Sequence, residues 1–349
     1  MKKTYAVVGS AKPFKDERTQ YLDLKMGLNE IGLVESCLES CDYLIFVNYD
    51  KKLMRRYFSN GDELTKLILI RLEPLAVLPV QYNKNIESYF DLIIDPGGIL
   101  TLDQNKTFIG WPYVAAKDPS NPGDETLDLA AQISLAVKND LFSYEKWISR
   151  KNKLVLVSAN KVSPTSKSNY RLRRTLAQKF NSEELDIYGH LWNYSIWQKI
   201  FHRIKVYRYA ITTGYCPNFV EIYGSLFRKY RNFVNEPLDK HEIIRKYRFS
   251  LVIENSSSYC SEKLFDAILN GSIPIYVGPR NDSLLLPSNL YFASTGSVIE
   301  IRNFIENISA NQANDMLKSM EAFITSQCFV LNWDSKNVYL KIAKMISDL

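Results

Sequence analysis

The sequence predicts an α/β protein made of two Rossmann-like domains in series. Short apolar, β-branched runs alternate with stretches of helical spacing along most of the chain, and the alternation restarts after residues 143–153. The clearest unit is Tyr247–Gly278, which reads strand, tight polar loop, helix, strand. With 349 residues, of which 46% are hydrophobic and 23% charged, the chain is long enough for two α/β cores.

In the first half, Thr4–Gly9, Tyr43–Asn48, Leu67–Leu72 and Asp91–Ile94 have the composition of strands, and Tyr21–Ile31, Leu53–Phe58 and Glu125–Val137 the spacing of helices. No glycine fingerprint accompanies them. Lys117–Asp124 is a turn-rich loop and Ser143–Lys153 reads as a connection between domains. Lys153–Ser158 restarts the pattern as a strand, followed by a basic helix near Tyr170–Phe180 and a strand ending at Ile187–Gly189. After the central unit come a strand at Asn289–Ala293 and helices near Ser297–Asn307, Gln312–Thr325 and Ser335–Ile346. The expected division is 1–145, 146–328 and a C-terminal helix in 329–349 that packs back on the first domain. Two such domains imply a cleft, with a ligand at the carboxyl ends of the strands.

Composition narrows the function. No apolar run reaches the roughly 20 residues that span a bilayer, and the first nine residues are shorter than a signal-peptide core, so a cytoplasmic protein is expected. Five cysteines, at 37, 41, 216, 260 and 328, fit no zinc spacing and read as reduced structural thiols. Three scattered histidines argue against a histidine-based metal site. The charge is uneven: residues 1–150 hold 18 Lys+Arg against 21 Asp+Glu, and residues 151–349 hold 26 against 17. A basic second half suits an anionic ligand or an anionic membrane surface. Nucleic acid fits less well, because no basic-aromatic signature accompanies the charge.

Within the central unit, Phe249–Ile253 is a buried strand, Ser261 can cap the following helix, Leu264, Phe265, Ile268 and Leu269 give it an apolar face, and Gly271 stops it. A helix that begins at the carboxyl end of a strand offers unpaired backbone N–H groups to an anion. Lys263 in the first turn opposes the helix dipole, a conflict that a bound phosphate relieves; the alternative is a lysine that leans into solvent.

The run Phe249-Ser-Leu-Val-Ile-Glu-Asn-Ser256, then Tyr259-x-Ser-Glu-Lys263, Asp266-Ala267 and Ile273-Pro-Ile-Tyr-x-Gly-Pro-x-Asn281 resembles the donor motif of the α-1,3/1,4-fucosyltransferases, glycosyltransferase family 10. It departs from the family at Ser261, where Thr is usual, at the short loop before Tyr259, and at Arg280 in place of a common Pro. Lys153–Asn160, an Arg-bearing helix and Asp186–Gly189 resemble the opening of the family's donor domain, and Asp239-Lys240 resembles a further element. The resemblance implies a GT-B fold, with two Rossmann-like domains facing a central cleft, and GDP-fucose as donor. It also implies that Lys263 and Arg173, with Arg171 as rival, clamp the diphosphate, that Glu262 faces the sugar hydroxyls, and that Tyr259 lies near the nucleotide. Glu254 and Asn255 follow a buried strand and either touch the donor or satisfy loop N–H groups. A cationic clamp can replace a divalent ion; no Asp-x-Asp occurs, so neither a metal nor another cofactor is expected.

A transferase also needs a base for the acceptor hydroxyl. Glu73 closes the apolar run Leu67–Leu72, Pro74 keeps it extended, and Glu73-Pro74 resembles the family's Glu-Pro element. The competing reading pairs Glu73 with Arg71 on the same strand face, and Asp95 is the reserve base. The expected reaction is inverting transfer of L-fucose to a hydroxyl of an oligosaccharide or lipid-linked glycan, α-1,3 or α-1,4 to GlcNAc or Glc of a bacterial surface glycan, with peripheral contact at the inner membrane. The alternatives are a transferase for another GDP-sugar and a non-catalytic nucleotide-sugar-binding protein.

Overall fold

The structure, a computed structural model, describes residues 2–9, 20–60, 64–96, 129–212, 219, 223, 226–236, 239–279, 286–287 and 289–349. The expected loop Lys117–Asp124, the first turn of the helix expected from Glu125, Cys216, Arg280 and Asn281 lie outside them. The chain divides into two compact units, Met1–Val114 with Gln327–Leu349, and Ala115–Ser326.

The first unit is built on a parallel sheet of β1 (Thr4–Gly9), β2 (Val34–Glu35), β3 (Tyr43–Val47), β4 (Lys66–Ile70) and β5 (Leu92–Ile94), in the order β2-β1-β3-β4-β5. β3 is buried at all five residues, which is why it reads as an unbroken apolar run rather than an alternating one. Leu44, Phe46, Leu69, Met54 and Tyr57 share one cluster between the sheet and α2 (Lys51–Asn60). A short helix, α3 (Lys84–Glu87), precedes β5, and α1 (Gln20–Glu30) follows β1. α1 packs on the last helix of the chain, and Gly27 permits the approach: a Cβ there would lie 3.2 Å from the Tyr339 carbonyl oxygen.

The second unit contains β6 (Lys151–Val157), β7 (Leu185–Tyr188), β8 (Phe233–Asn235), β9 (Tyr247–Ile253), β10 (Ile273–Val277) and β11 (Phe292–Ala293), all parallel, in the order β11-β10-β9-β6-β7-β8. Pro274, which has no N–H to donate, falls one residue before β11 begins to pair with β10 at Ile275. Its helices are α4 (Leu129–Lys138), α5 (Tyr144–Ile148), α6 (Tyr170–Lys179), α7 (Ile196–Thr212), α8 (Lys240–Ile244), α9 (Glu262–Leu269), α10 (Val298–Asn307) and α11 (Ala310–Ile324). α12 (Gln327–Trp333) and α13 (Ser335–Ser347) return the chain to the first unit, where α13 is the helix that meets α1.

Residues 143–153, expected as a connection, form α5 and the start of β6 inside the second unit; Ser143 caps α5 through the Lys146 N–H, and Trp147 packs edge-on against Phe249 of β9. α7, β8 and α12 have no counterpart in the sequence reading. The chain steps from β6 to β7 and β8 on one side and later to β9, β10 and β11 on the other. The β6/β9 boundary is therefore the switch point of the sheet, where an open α/β fold leaves a crevice.

Candidate functional site

A cavity of about 210 Å³ lies at that switch point, lined by β6 and its exit from Val155 to Ala159, by Ser250–Ile253 of β9, and by Lys240, Glu262, Lys263 and Asp266. The loop after β9 is short because one buried carboxylate organises it. Glu254, with no exposed surface, accepts hydrogen bonds from the Ser261 N–H (2.9 Å) and the Ser261 hydroxyl (2.7 Å). Lys263 Nζ donates to Ser261 Oγ at 2.7 Å and lies 3.6 Å from Glu254 Oε2 and 3.5 Å from Glu262 Oε1.

Ser261 is the N-cap residue of α9, yet its side chain makes no capping bond. A carboxylate that accepts and an ammonium that donates on either side hold the hydroxyl more strongly than a helix N–H would. The helix ends as expected at Gly271, whose φ is +62°.

Charge in this turn is balanced internally. Burial raises the pKa of Glu254, with Lys263 opposing. Burial also opposes the charged form of Glu262, but the ammonium groups of Lys263 and Lys240 hold its carboxyl down at about 2. Lys263 is pulled down by burial and, more strongly, up by Glu262 and Glu254, so its pKa is raised and it stays charged. The expectation that Lys263 either leans into solvent or needs an anion therefore gives way to a third arrangement, a lysine held by two neighbouring carboxylates.

Arg173, on α6, is 2% exposed and its guanidinium reaches the ends of both central strands. It donates to the Ile253 carbonyl oxygen (2.7 Å), the Ala159 carbonyl oxygen (3.2 Å) and Asn255 Oδ1 (3.2 Å), and stacks at 5.1 Å on the Tyr170 ring. Burial lowers its pKa. Asn255 also accepts the Asn169 N–H at its carbonyl, which fixes the start of α6 to the loop. Arg171, the rival, is exposed, and Tyr259 is buried.

Sequence reasoning left Asp266 and Lys240 without a role. Lys240 Nζ donates to the buried Asp266 at 2.6 Å, and Asp239 caps α8 by accepting the His241 N–H at 2.8 Å. Their signal was the pairing of an N-capping Asp with a basic neighbour, whose partner on α9 only the fold reveals.

Glu73 lies in the first unit, three residues beyond the end of β4. Its main chain is pinned: its N–H donates to Asn48 Oδ1 (3.0 Å), and its carbonyl accepts from Gln81 Nε2 (2.6 Å) and the Tyr82 hydroxyl (3.1 Å). Arg71 is directed elsewhere, donating to Glu87 at 2.6 Å, lying 3.9 Å from Asp95 and stacking at 4.4 Å on Tyr82. Asp95, the reserve base, thus sits beside a guanidinium. Among the described residues no group of three or more His, Cys, Asp or Glu is placed to hold a metal ion, and no helix is long and apolar enough to cross a membrane.

Two parallel Rossmann-like sheets, the second with a crevice at its switch point, have the architecture of a GT-B type glycosyltransferase fold. Residues 189–325 match the glycosyltransferase family 10 (fucosyltransferase) C-terminal domain. A fucosyltransferase-like protein of Arabidopsis thaliana, named provisionally, is 32% identical over 81 residues, 22% of this chain and 16% of that one. A fucosyltransferase of Acanthamoeba polyphaga mimivirus, also named provisionally, is 27% identical over 174 residues, 46% of this chain and 27% of that one. The chain thus aligns with no more than about a quarter of the length of these relatives. Among solved structures, an α1,3-fucosyltransferase with GDP is 16% identical with a TM-score of 0.53, covering 99% of this chain and 90% of that one. Anabaena HepE in complex with UDP and glucose is 12% identical with a TM-score of 0.51 over the whole of both chains. At these identities the likeness is one of fold.

Proposed function

We propose that the protein transfers L-fucose from GDP-fucose to a hydroxyl of a glycan acceptor, by inverting single displacement and without a metal. The observation that carries the reading is a paired lysine, Lys263, in the first turn of α9 at the sheet's switch point, within a segment that matches family 10. A crevice of about 210 Å³ is smaller than the ~300–1,000 Å³ that encloses a whole ligand, and suits the diphosphate and part of the sugar. Lys263 and the N–H groups that open α9 would hold the diphosphate. Arg173, committed to main-chain carbonyls, would act from beneath as fixed positive charge.

Glu262 would accept hydrogen bonds from the sugar hydroxyls, and Tyr259 would shape the wall behind them. Glu73 would take the proton of the acceptor hydroxyl; the freed oxygen attacks the anomeric carbon, the bond to the diphosphate breaks, and GDP leaves with both bonding electrons as its charge falls on Lys263 and Arg173. The acceptor is a sugar hydroxyl of a surface glycan, linked α-1,3 or α-1,4 to GlcNAc or Glc, and the enzyme works in the cytoplasm.

Two substitutions test this. Lys263→Ala should weaken GDP binding by about 10- to 100-fold, the worth of a charge-assisted contact, and abolish transfer. Glu73→Gln should leave GDP-fucose affinity unchanged while turnover falls by about 10²- to 10⁴-fold. Normal GDP affinity and turnover in the first variant would remove the clamp, and a near-normal rate in the second would remove the base.

A further inference from the structure

α7 is an amphipathic helix with its apolar face turned outward. Trp197 is 68% exposed and Phe201 65%, with Ile204 and Ile211 also exposed, and these four fall on one side of the helix at i, i+4, i+7 and i+14. The opposite side, Arg203 and Ala210, is buried. This inverts the usual arrangement, in which a surface helix buries its apolar stripe. The stripe continues beyond the helix: Phe219 is exposed and stacks on Tyr223 while meeting Tyr207 edge-on, and Phe227 is 78% exposed. Lys199 Nζ donates to the Arg228 carbonyl at 3.1 Å, which ties the Phe227–Arg228 turn to the helix.

The charge around this face has one sign. Residues 195–231 contain seven Lys and Arg and a single acid, Glu221. Lys205 and Arg208 are exposed on α7 itself, and the exposed Arg228 and Lys229 extend the Phe227 turn. Aromatic rings flanked by cations, on a helix too short and too charged to span a bilayer, have the composition of a segment that lies in the headgroup region of an anionic membrane. A protein partner would have to match scattered aromatics and a uniform positive field at once, whereas an anionic bilayer supplies both through its acyl boundary and its headgroups.

We propose that α7 and the Phe227–Lys229 turn form a docking face for an anionic lipid bilayer, with Trp197, Phe201 and Phe227 inserted at the acyl boundary and Lys205, Arg208, Arg228 and Lys229 on the headgroups. This face is separate from the residues assigned to the donor, so its loss leaves the chemistry in place.

The test is co-sedimentation of the full chain with vesicles of phosphatidylcholine alone and with vesicles in which roughly a third of the lipid is anionic phosphatidylglycerol. The expected result is binding to the anionic vesicles only, weakened by about fivefold for each cation removed in Lys205→Gln and Arg228→Gln and by at least tenfold in Trp197→Ser/Phe201→Ser. The melting temperatures of these variants should stay at the native value, because the altered side chains are exposed. Binding to neither vesicle, or equal binding by Trp197→Ser/Phe201→Ser, would overturn the proposal. So would a dimer in sedimentation velocity that the same double substitution dissolves, since the face would then join two copies of the chain.

Discussion

Alanine at position 254 would remove the acceptor of two hydrogen bonds and leave buried donors behind. The Glu254 carboxylate has no exposed surface, and its bonds to Ser261 are 2.9 and 2.7 Å long. Hydrogen bonds to a charged group contribute about 1.5–3 kcal/mol each, and breaking a buried ion pair by deleting one partner costs about 3–5 kcal/mol. Lys263 keeps Glu262 as counter-charge at 3.5 Å, so the lower end applies and Glu254→Ala should destabilise the fold by about 3 kcal/mol. Glutamine retains an oxygen for the Ser261 N–H and should cost about 2 kcal/mol. Urea unfolding followed by circular dichroism reads both values from the midpoint, provided the slope is unchanged. Neither substitution should lower GDP affinity, because Glu254 acts through Ser261 and Lys263 and its removal leaves more positive charge for a diphosphate. A loss below about 1 kcal/mol for alanine, or a tenfold loss of GDP-fucose affinity at unchanged stability, would refute the reasoning and make the carboxylate a ligand group.

Two further outcomes follow from the same unit. A Cβ on Gly271 would sit 2.1 Å from the Leu141 carbonyl oxygen at a φ of +62°, so Gly271→Ala should lower stability by about 2–3 kcal/mol, read as a fall in melting temperature. His241 is buried between α8 and α9, with Nδ1 2.8 Å from Asn270 Nδ2 and Nε2 3.9 Å from Asp266. Burial lowers its pKa from the ordinary 6.5, with Asp266 opposing. The unfolded chain therefore takes up a proton near pH 6.5 while the folded chain does not. The stability His241 provides is complete above pH 6.5 and declines as pH falls below it. His241→Gln should flatten the melting temperature between pH 7.5 and 5.5 relative to the native chain; an unchanged slope would place the titration elsewhere.

What the sequence makes legible is local. Strand, loop, helix and strand between Tyr247 and Val277 lie within about thirty residues, and each is signalled by its own composition, so the expected strand at Phe249–Ile253 is two residues short of the observed Tyr247–Ile253 and the expected second strand is present as Ile273–Val277. α6 is legible for the same reason. What Arg173 does there is not, because its partners, Ala159 just past β6 and Ile253 at the end of β9, are 14 and 80 residues away in sequence, and only the sheet order brings them together. Glu254 is similar: its side chain reads as a loop carboxylate until the chain folds back to put Ser261 against it. α7 escaped because its stripe is inverted. With Arg203 inside and Trp197 and Phe201 outside, the segment reads as a basic run with stray aromatics rather than as a core helix.

The internal pairing of Lys263 changes what a bound diphosphate has to explain. A lysine at the positive end of a helix argues for an anion only if nothing else balances it, and here Glu262 and Glu254 do. The two carboxylates are not equivalent. Glu254 is locked by Ser261 and fully buried, whereas the Glu262 side chain is 37% exposed and sits at the cavity wall. An arriving diphosphate would therefore exchange with Glu262 at the ammonium and leave Glu254 in place, since only Glu262 can turn away without abandoning a buried hydrogen bond. A carboxylate displaced in that way would come to rest beside the sugar that the diphosphate carries, where hydroxyl groups replace the ammonium as its donors. One turn of helix would then couple the two recognition tasks: the phosphate would displace Glu262 from Lys263, and the same displacement would present Glu262 to the sugar.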